Sequence, residues 1–281
     1  MANALFLVST GRTGTTWLEH LFAEAGANAR HEPGPLLIRH VSHAYASGHL
    51  SDENASKLLV RWRGATLNAS GRPYVEASTL VYGLARPILE TFPDAHVVQV
   101  VRDPLTYLRS AMNWGQYRFG GRVKNVAPFR RLARPHFDPI YDVAGRVRWV
   151  ATGQFGRLCW AWTKMNQVMR EQGEGNDRFT VLAYESLFDA EKGHTTIGQL
   201  LELVNLEVSK EDSERIRGTR VNENKPGNFP RWQEWSSDQL AMVIDACGRE
   251  ARHYGYDIAA RVLRDRPEVE AKLSALRKPS G

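Results

Sequence analysis

Cysteine is nearly absent from this chain: Cys159 and Cys247 are the only two in 281 residues. Two thiols cannot build a disulfide framework, and neither has the Cys/His spacing of a zinc site. Both stand among apolar neighbours in helix-like segments. They read as reduced, buried thiols, the state expected in a reducing compartment. Long apolar runs are missing too. The first, Ala4–Val8, is far too short for a signal peptide. No later segment reaches the roughly 20 residues that a helix needs to cross a bilayer. The chain is expected to be soluble and cytoplasmic, with no membrane span. Internal repeats, low-complexity tracts and runs of one charge are absent as well. Lys and Arg number 37 against 31 Asp and Glu, a formal charge of +6 that is spread along the chain. That balance suits an anionic ligand. Without a basic tail or stripe, nucleic acid is not the expected partner.

What is present is an alternation of strands and helices. Ala4–Ser9 (ALFLVS) is a buried strand, followed by turn residues Thr10 to Gly14 and then by TWLEHLFAEAG, a helix stopped at Gly26. The stretch 33–70 reads as irregular helix. Tyr74–Ser78 is a second strand, Leu80–Thr91 a helix, and Ala95–Val101 (AHVVQVV) a third strand. Pro104 suits the first turn of a helix running to about Asn113. Residues 115–147 lack a clean period and read as a flap. Trp149–Glu171 is a long helix, Phe179–Tyr184 a fourth strand and Gly193–Asn205 a helix. A polar loop covers 218–236, and Asp238–Tyr254 is the last helix. This order predicts an α/β fold in one domain, 1–281: a central parallel sheet with helices on both faces. Ligands of such sheets bind beyond the carboxyl ends of the strands. The loops after Ser9 and after Val101 are therefore expected to meet there.

The first loop reads Ser9-Thr10-Gly11-Arg12-Thr13-Gly14-Thr15-Thr16-Trp17. A loop that leaves a buried strand and opens a helix presents unpaired backbone N–H groups and the positive end of the helix dipole. Gly11 and Gly14 let the backbone approach an anion closely. Arg12 adds a planar cation, and Thr15 and Thr16 add hydroxyls. This is an anion cradle. It is not a triphosphate loop, because the glycines stand only three apart and no lysine follows Gly14.

The string Arg12-Thr13-Gly14-Thr15-Thr16-Trp17-Leu18 resembles the phosphosulfate-binding loop of sulfotransferases that use 3′-phosphoadenosine 5′-phosphosulfate (PAPS). That loop commonly reads [KR]-[ST]-G-[ST]-[ST] after the first strand. The family's second marker is an arginine after a strand with a serine eight residues on. Here Arg102 and Ser110 stand in that relation. The resemblance implies a three-layer, P-loop-like fold, PAPS as co-substrate and its desulfated form PAP as product. It places the 5′-phosphosulfate on Arg12, Thr13, Gly14, Thr15, Thr16 and Trp17, and the 3′-phosphate on Arg102 and Ser110. Relatives add a late R-K-G string. Its loose counterpart here is Lys225-Pro226-Gly227, with Arg220 and Arg231 near it. Trp232 either stacks on adenine or belongs to the core.

The base differs between branches of the family. Phenol and steroid enzymes carry a histidine in a Lys-Thr-His string, whereas the corresponding Glu76-Ala77-Ser78-Thr79-Leu80 has neither lysine nor histidine. Other branches use a glutamate about twenty residues beyond the arginine of the first loop. That position falls on Glu32, with His31 as rival. Ala77 replaces a lysine of some relatives, which leaves Arg12 as the main charge stabiliser and Ser78 as a further contact. The implied activity is sulfuryl transfer to a hydroxyl or amine of a small-molecule or glycan acceptor. Segments 33–70 and 115–147 are expected to form its pocket and lid. A small-molecule or nucleotide kinase and a non-catalytic polyanion-binding module are the competing readings. No metal site is expected.

Overall fold

The computed structural model describes residues 4–35, 37–68, 71–116, 152–219 and 227–277. Strand β1 (Ala4–Ser9) leads into α1 (Thr15–Glu24) and β2 (Asn28–His31). Helices α2 (Ile38–Ala46) and α3 (Asp52–Leu59), a π-helical turn (Val60–Gly64) and α4 (Ala65–Asn68) precede β3 (Tyr74–Ser78). A 3-10 turn (Tyr82–Leu84) and α5 (Ala85–Thr91) lead to β4 (Ala95–Val101) and α6 (Pro104–Trp114). Beyond residue 151 come α7 (Gln154–Gly173), β5 (Phe179–Ala183), a 3-10 turn (Tyr184–Phe188), α8 (Gly193–Glu202) and α9 (Lys210–Gly218). A last 3-10 turn (Trp232–Glu234) is followed by α10 (Ser237–Arg252), α11 (Ile258–Asp265) and α12 (Val269–Leu276).

The five strands form one sheet in the order β2-β3-β1-β4-β5, and every pairing is parallel. Strand β1 lies at the centre, and all six of its residues are buried. Its side chains alternate between two cores, as the period of a strand requires. Phe6 and Val8 pack with Ile88 of α5 and Met165 and Met169 of α7. Leu5 and Leu7 pack with Leu18 and Leu21 of α1 and Ile197 and Leu201 of α8. A continuous apolar run is what a parallel strand covered on both faces needs. The expected α/β architecture, a central parallel sheet between two helical layers, is the one observed. A third cluster joins Val101, α6, α7 and α10 around Trp162 and Trp235.

The expected strands at 4–9, 74–78 and 95–101 coincide with β1, β3 and β4. Strand β2 does not follow from the sequence. Asn28–His31 has no apolar alternation and is half exposed; backbone pairing with Tyr74–Ala77 makes it an edge strand. The expected helix from Leu80 begins as a 3-10 turn at Tyr82 and becomes α-helical at Ala85. The long helix starts at Gln154, and Trp149 lies outside the described residues. So does the flap at 115–147, except for Gly115 and Gln116. Helices α9, α11 and α12 escaped the sequence reading. Among the described residues no helix is long and apolar enough to cross a membrane, and no His/Cys/Asp/Glu group could hold a metal ion. Both cysteines are free and buried.

The topology fixes where ligands can enter. After β1 the chain builds one side of the sheet, β2 and β3, then returns to the other side as β4 and β5. The order reverses between the neighbours β1 and β4, whose ends are level at Ser9 and Val100. Such a switch point opens a crevice between the two following loops. The second loop is held firmly. Asp103 caps α6, its Oδ1 accepting from Leu105 N at 2.8 Å and Thr106 N at 3.3 Å. Its Oδ2 accepts from Arg261 of α11. Glu185 accepts from Asp103 N at 3.1 Å and from Tyr256 Oη at 2.7 Å. Asp103→Ala should therefore lower stability by about 1–2 kcal/mol, the scale of a lost cap. Urea unfolding should show a lower midpoint at unchanged slope, with Asp103→Asn recovering part of the loss. An unaltered midpoint for Asp103→Ala would refute the capping role.

Candidate active site

Three positions shape the first loop. Gly11, Arg12 and Gly14 have φ of 84°, 58° and 72°. Glycine is required at Gly14, where a Cβ would lie 3.0 Å from the Tyr184 ring on top of the left-handed backbone. A Cβ at Gly11 would meet the Thr79 methyl at 3.3 Å. Helix α1 then starts with no side-chain cap and no acidic residue in its first turn. Its leading N–H groups are left for an external acceptor. Thr13 supplies a second sign of a missing partner: its hydroxyl is buried without a hydrogen bond. A buried hydroxyl in that state is costly and needs an explanation. A bound oxyanion at the loop provides one.

The other residues of the loop divide. Thr15 Oγ1 and Thr16 Oγ1 lie 3.0 Å and 3.5 Å from His31 Nε2, so His31 sits beside the α1 N-terminus. Trp17 turns away. Its ring is buried, donates from Nε1 to Ile216 O at 3.1 Å and packs on Phe188. Only the backbone of Trp17 is left to face an anion.

Arg102 binds the two loops together. Its Nη1 donates to Arg12 O at 2.7 Å and its Nε to Thr106 Oγ1 at 3.1 Å. Its guanidinium lies over the Tyr184 ring, 4.6 Å from the centroid. Arg12 in turn donates from Nε to Ser110 Oγ at 3.3 Å and lies over the Trp114 ring at 4.8 Å. Burial, and then the charge of Arg102, pull the Arg12 pKa below its usual value. The guanidinium stays protonated at neutral pH, so a partly desolvated cation stands beside a second one.

A cleft of about 470 Å³ continues from this point, lined by Arg102, Ser110, Arg231 and Trp232 together with Thr106, Arg109 and Asn113. The late loop is fastened to α6 there. Phe229 N donates to Asn113 Oδ1 at 2.8 Å, and Gly227 leaves no room for a Cβ against the Asn113 side chain. Trp232 is half-buried at the cleft, with Arg261 5.9 Å from its ring. The fully buried tryptophan of this segment is Trp235. Lys225 and Arg220 lie outside the described residues. Sequence reading missed Thr106, Arg109 and Asn113. The signal was available, since 106, 110 and 113 share one face of a helix and all are polar.

Glu32 follows β2 with φ 44°, an unfavourable conformation for a residue other than glycine. Its N–H donates to Ala77 O at 3.2 Å, and its carboxylate accepts from the Thr79 hydroxyl. The Thr79 methyl faces Gly11, so Glu32 borders the first loop through one intervening residue. Ser78 is buried, and its Oγ accepts from Leu80 N at 3.1 Å. In this structure it shapes the turn after β3 rather than facing the cleft. Glu76 is also buried, paired with Arg63 at 2.5 Å; no local pattern in the sequence announces that pair.

No protein-family model and no curated protein matches the chain. Among solved structures it is similar to a sulfotransferase domain from the curacin biosynthetic pathway, at 14% identity and a TM-score of 0.44, covering 75% of this chain and 76% of that one. It is also similar to a sulfotransferase from Alicyclobacillus acidocaldarius, at 14% identity and a TM-score of 0.49, covering 92% of this chain and 98% of that one. The chemistry of the site rests on its own residues.

Gly14→Ala is expected to destabilise the protein by about 1–2 kcal/mol, the cost of a left-handed L-residue. The added methyl would also press on the Tyr184 ring. Scanning calorimetry measures the lowered melting temperature. A variant as stable as the parent would show that the left-handed turn at Gly14 carries no strain.

Proposed function

We propose that the chain is a sulfotransferase that moves the sulfuryl group of PAPS to a hydroxyl or amine of a small-molecule or glycan acceptor by in-line displacement. The observation that carries this reading is the convergence of two loops, separated by 90 positions, through Arg102, Arg12 and Ser110. One anion cradle lies at the N-terminus of α1, and a second cationic cleft begins at Ser110. A ligand with phosphate groups at two separate positions fits both. The unpartnered Thr13 hydroxyl and the uncapped N-terminus of α1 fit a tetrahedral oxyanion.

Sulfuryl transfer, like phosphoryl transfer, spreads charge over equatorial oxygens and asks the protein for positioning and a fixed positive field. Arg12 and the leading N–H groups of α1 provide that field at the transferred group and the leaving oxygen. Arg102 and Ser110, with Arg231 and Trp232 across the cleft, bind the 3′-phosphate and the adenine; Lys225 is placed with them by resemblance. Glu32 takes the proton of the acceptor. His31 is the rival base, but its Nε2 lies against Thr15 and Thr16, and we assign it to ordering the α1 N-terminus. Trp114 is 62% exposed and stacked by Arg12, which makes it a wall for the acceptor beside the reacting group. We place the enzyme in the cytoplasm, where the free thiols of Cys159 and Cys247 are stable.

PAP should raise the melting temperature in the absence of Mg²⁺, and ATP-Mg should not. The reverse pattern would favour a kinase, and stabilisation by any polyanion with a steep salt dependence would favour a binding module. With labelled PAPS and a panel of acceptors read by mass spectrometry, Arg12→Ala should cost about 10²–10³ in turnover, the usual effect of deleting a transition-state donor. Near-normal turnover by that variant would remove Arg12 from the mechanism.

A further inference from the structure

Glu32 is held from several sides by β3 and the turn that follows it. Its N–H donates to Ala77 O, and its carboxylate accepts from Thr79. The next two residues are held by Arg63. From the π-helical turn Val60–Gly64, this side chain enters the interior beside β3 and is 2% exposed. Nε donates to Glu76 Oε2 at 2.5 Å and Nη2 to Glu76 Oε1 at 3.1 Å. Tyr74 Oη donates to the same carboxylate at 2.8 Å. The remaining donors reach Gly34 O at 2.9 Å, Pro33 O at 3.0 Å and Trp62 O at 3.3 Å.

This arrangement is more than a charge pair. Burial by itself lowers the pKa of Arg63, but the hydrogen bond and charge of Glu76 outweigh it and raise the value. The cation is therefore fixed as a cation, and its planar fork joins a central strand to two consecutive backbone carbonyls. Those carbonyls follow directly on Glu32, whose φ of 44° must be imposed by its surroundings. A lysine at position 63 could pair with Glu76 as a point charge, but it could not span the carboxylate and both carbonyls.

We propose that Arg63, oriented by Glu76, is a positioning residue that fixes the Glu32 carboxylate for proton abstraction. The inference rests on the sulfotransferase reading and on Glu32 as its base. Neither Arg63 nor Glu76 touches the cradle of Arg12 or the cleft at Arg102, so cofactor binding should be insensitive to them. A group held too loosely, by about 1 Å, loses on the order of 10² in rate. Arg63→Lys should lose about that factor in kcat.

Removing one partner of a buried pair can unfold a protein, whereas replacing both with apolar residues is often tolerated. The double variant Arg63→Met, Glu76→Leu is therefore the second arm. Gly34 is exposed and Pro33 half exposed, so the segment that loses the strap lies at the surface. Four proteins are compared: the parent, the double variant, Glu32→Gln, and the two combined. PAP affinity is measured by calorimetry, and kcat with the acceptor that the panel identifies. The double variant should bind PAP within about threefold of the parent, lose about 10² in kcat, and add little to the loss of Glu32→Gln. Parent-like kcat in the double variant, or a full further loss in the Glu32→Gln background, would overturn the inference. So would a joint fall of PAP affinity and kcat, which marks a merely structural pair. A parent protein that binds no PAP would instead overturn the sulfotransferase reading, and this inference with it.

Discussion

The N–H that Arg102 gives to the carbonyl of Arg12, at 2.7 Å, joins loops that are 90 positions apart in the chain. Hydrogen bonds from a charged donor contribute about 1.5–3 kcal/mol net. This one fixes the left-handed turn at Arg12 and at the same time sets a second cation beside the first. The neighbourhood would be unstable if it were only a loop junction, because like charges repel and Arg12 is half-removed from water. It persists because the flanking strands are buried neighbours and Asp103, Glu185, Tyr256 and Arg261 lock the second loop from behind. The scaffold holds two like charges close together at the end of the sheet.

The sheet explains why so much of this could be read in advance. Strand β1 is apolar at nearly every position because both of its faces are covered, and the valines of β4 follow the same logic. Once these strands are parallel neighbours, their following loops must adjoin. Arg12 and Ser110 therefore come together as the sequence order suggests. The contact of Arg231 and Trp232 with the same cleft was less legible, because a polar loop carries no period from which to infer its path.

The parts that could not be read share one cause: they depend on partners remote in sequence. Strand β2 is a strand only because β3 offers backbone groups to pair with. Glu76 stands in an apolar strand like an error of pattern, and its meaning becomes visible only with Arg63 on a π-helical turn. The ring of Trp17 sits in a string that resembles an anion-binding loop, yet a carbonyl of α9 claims its N–H. The resemblance says nothing of where that side chain goes.

Tyr184 stands at the end of β5 and touches both halves of the site: one ring edge fills the space beside Gly14, and Arg102 lies across the ring. The ring thus acts as a spacer between the backbone of the first loop and the guanidinium that follows β4. Its dimensions set how far apart the two stand, so the width of the junction resides in a side chain that belongs to neither loop.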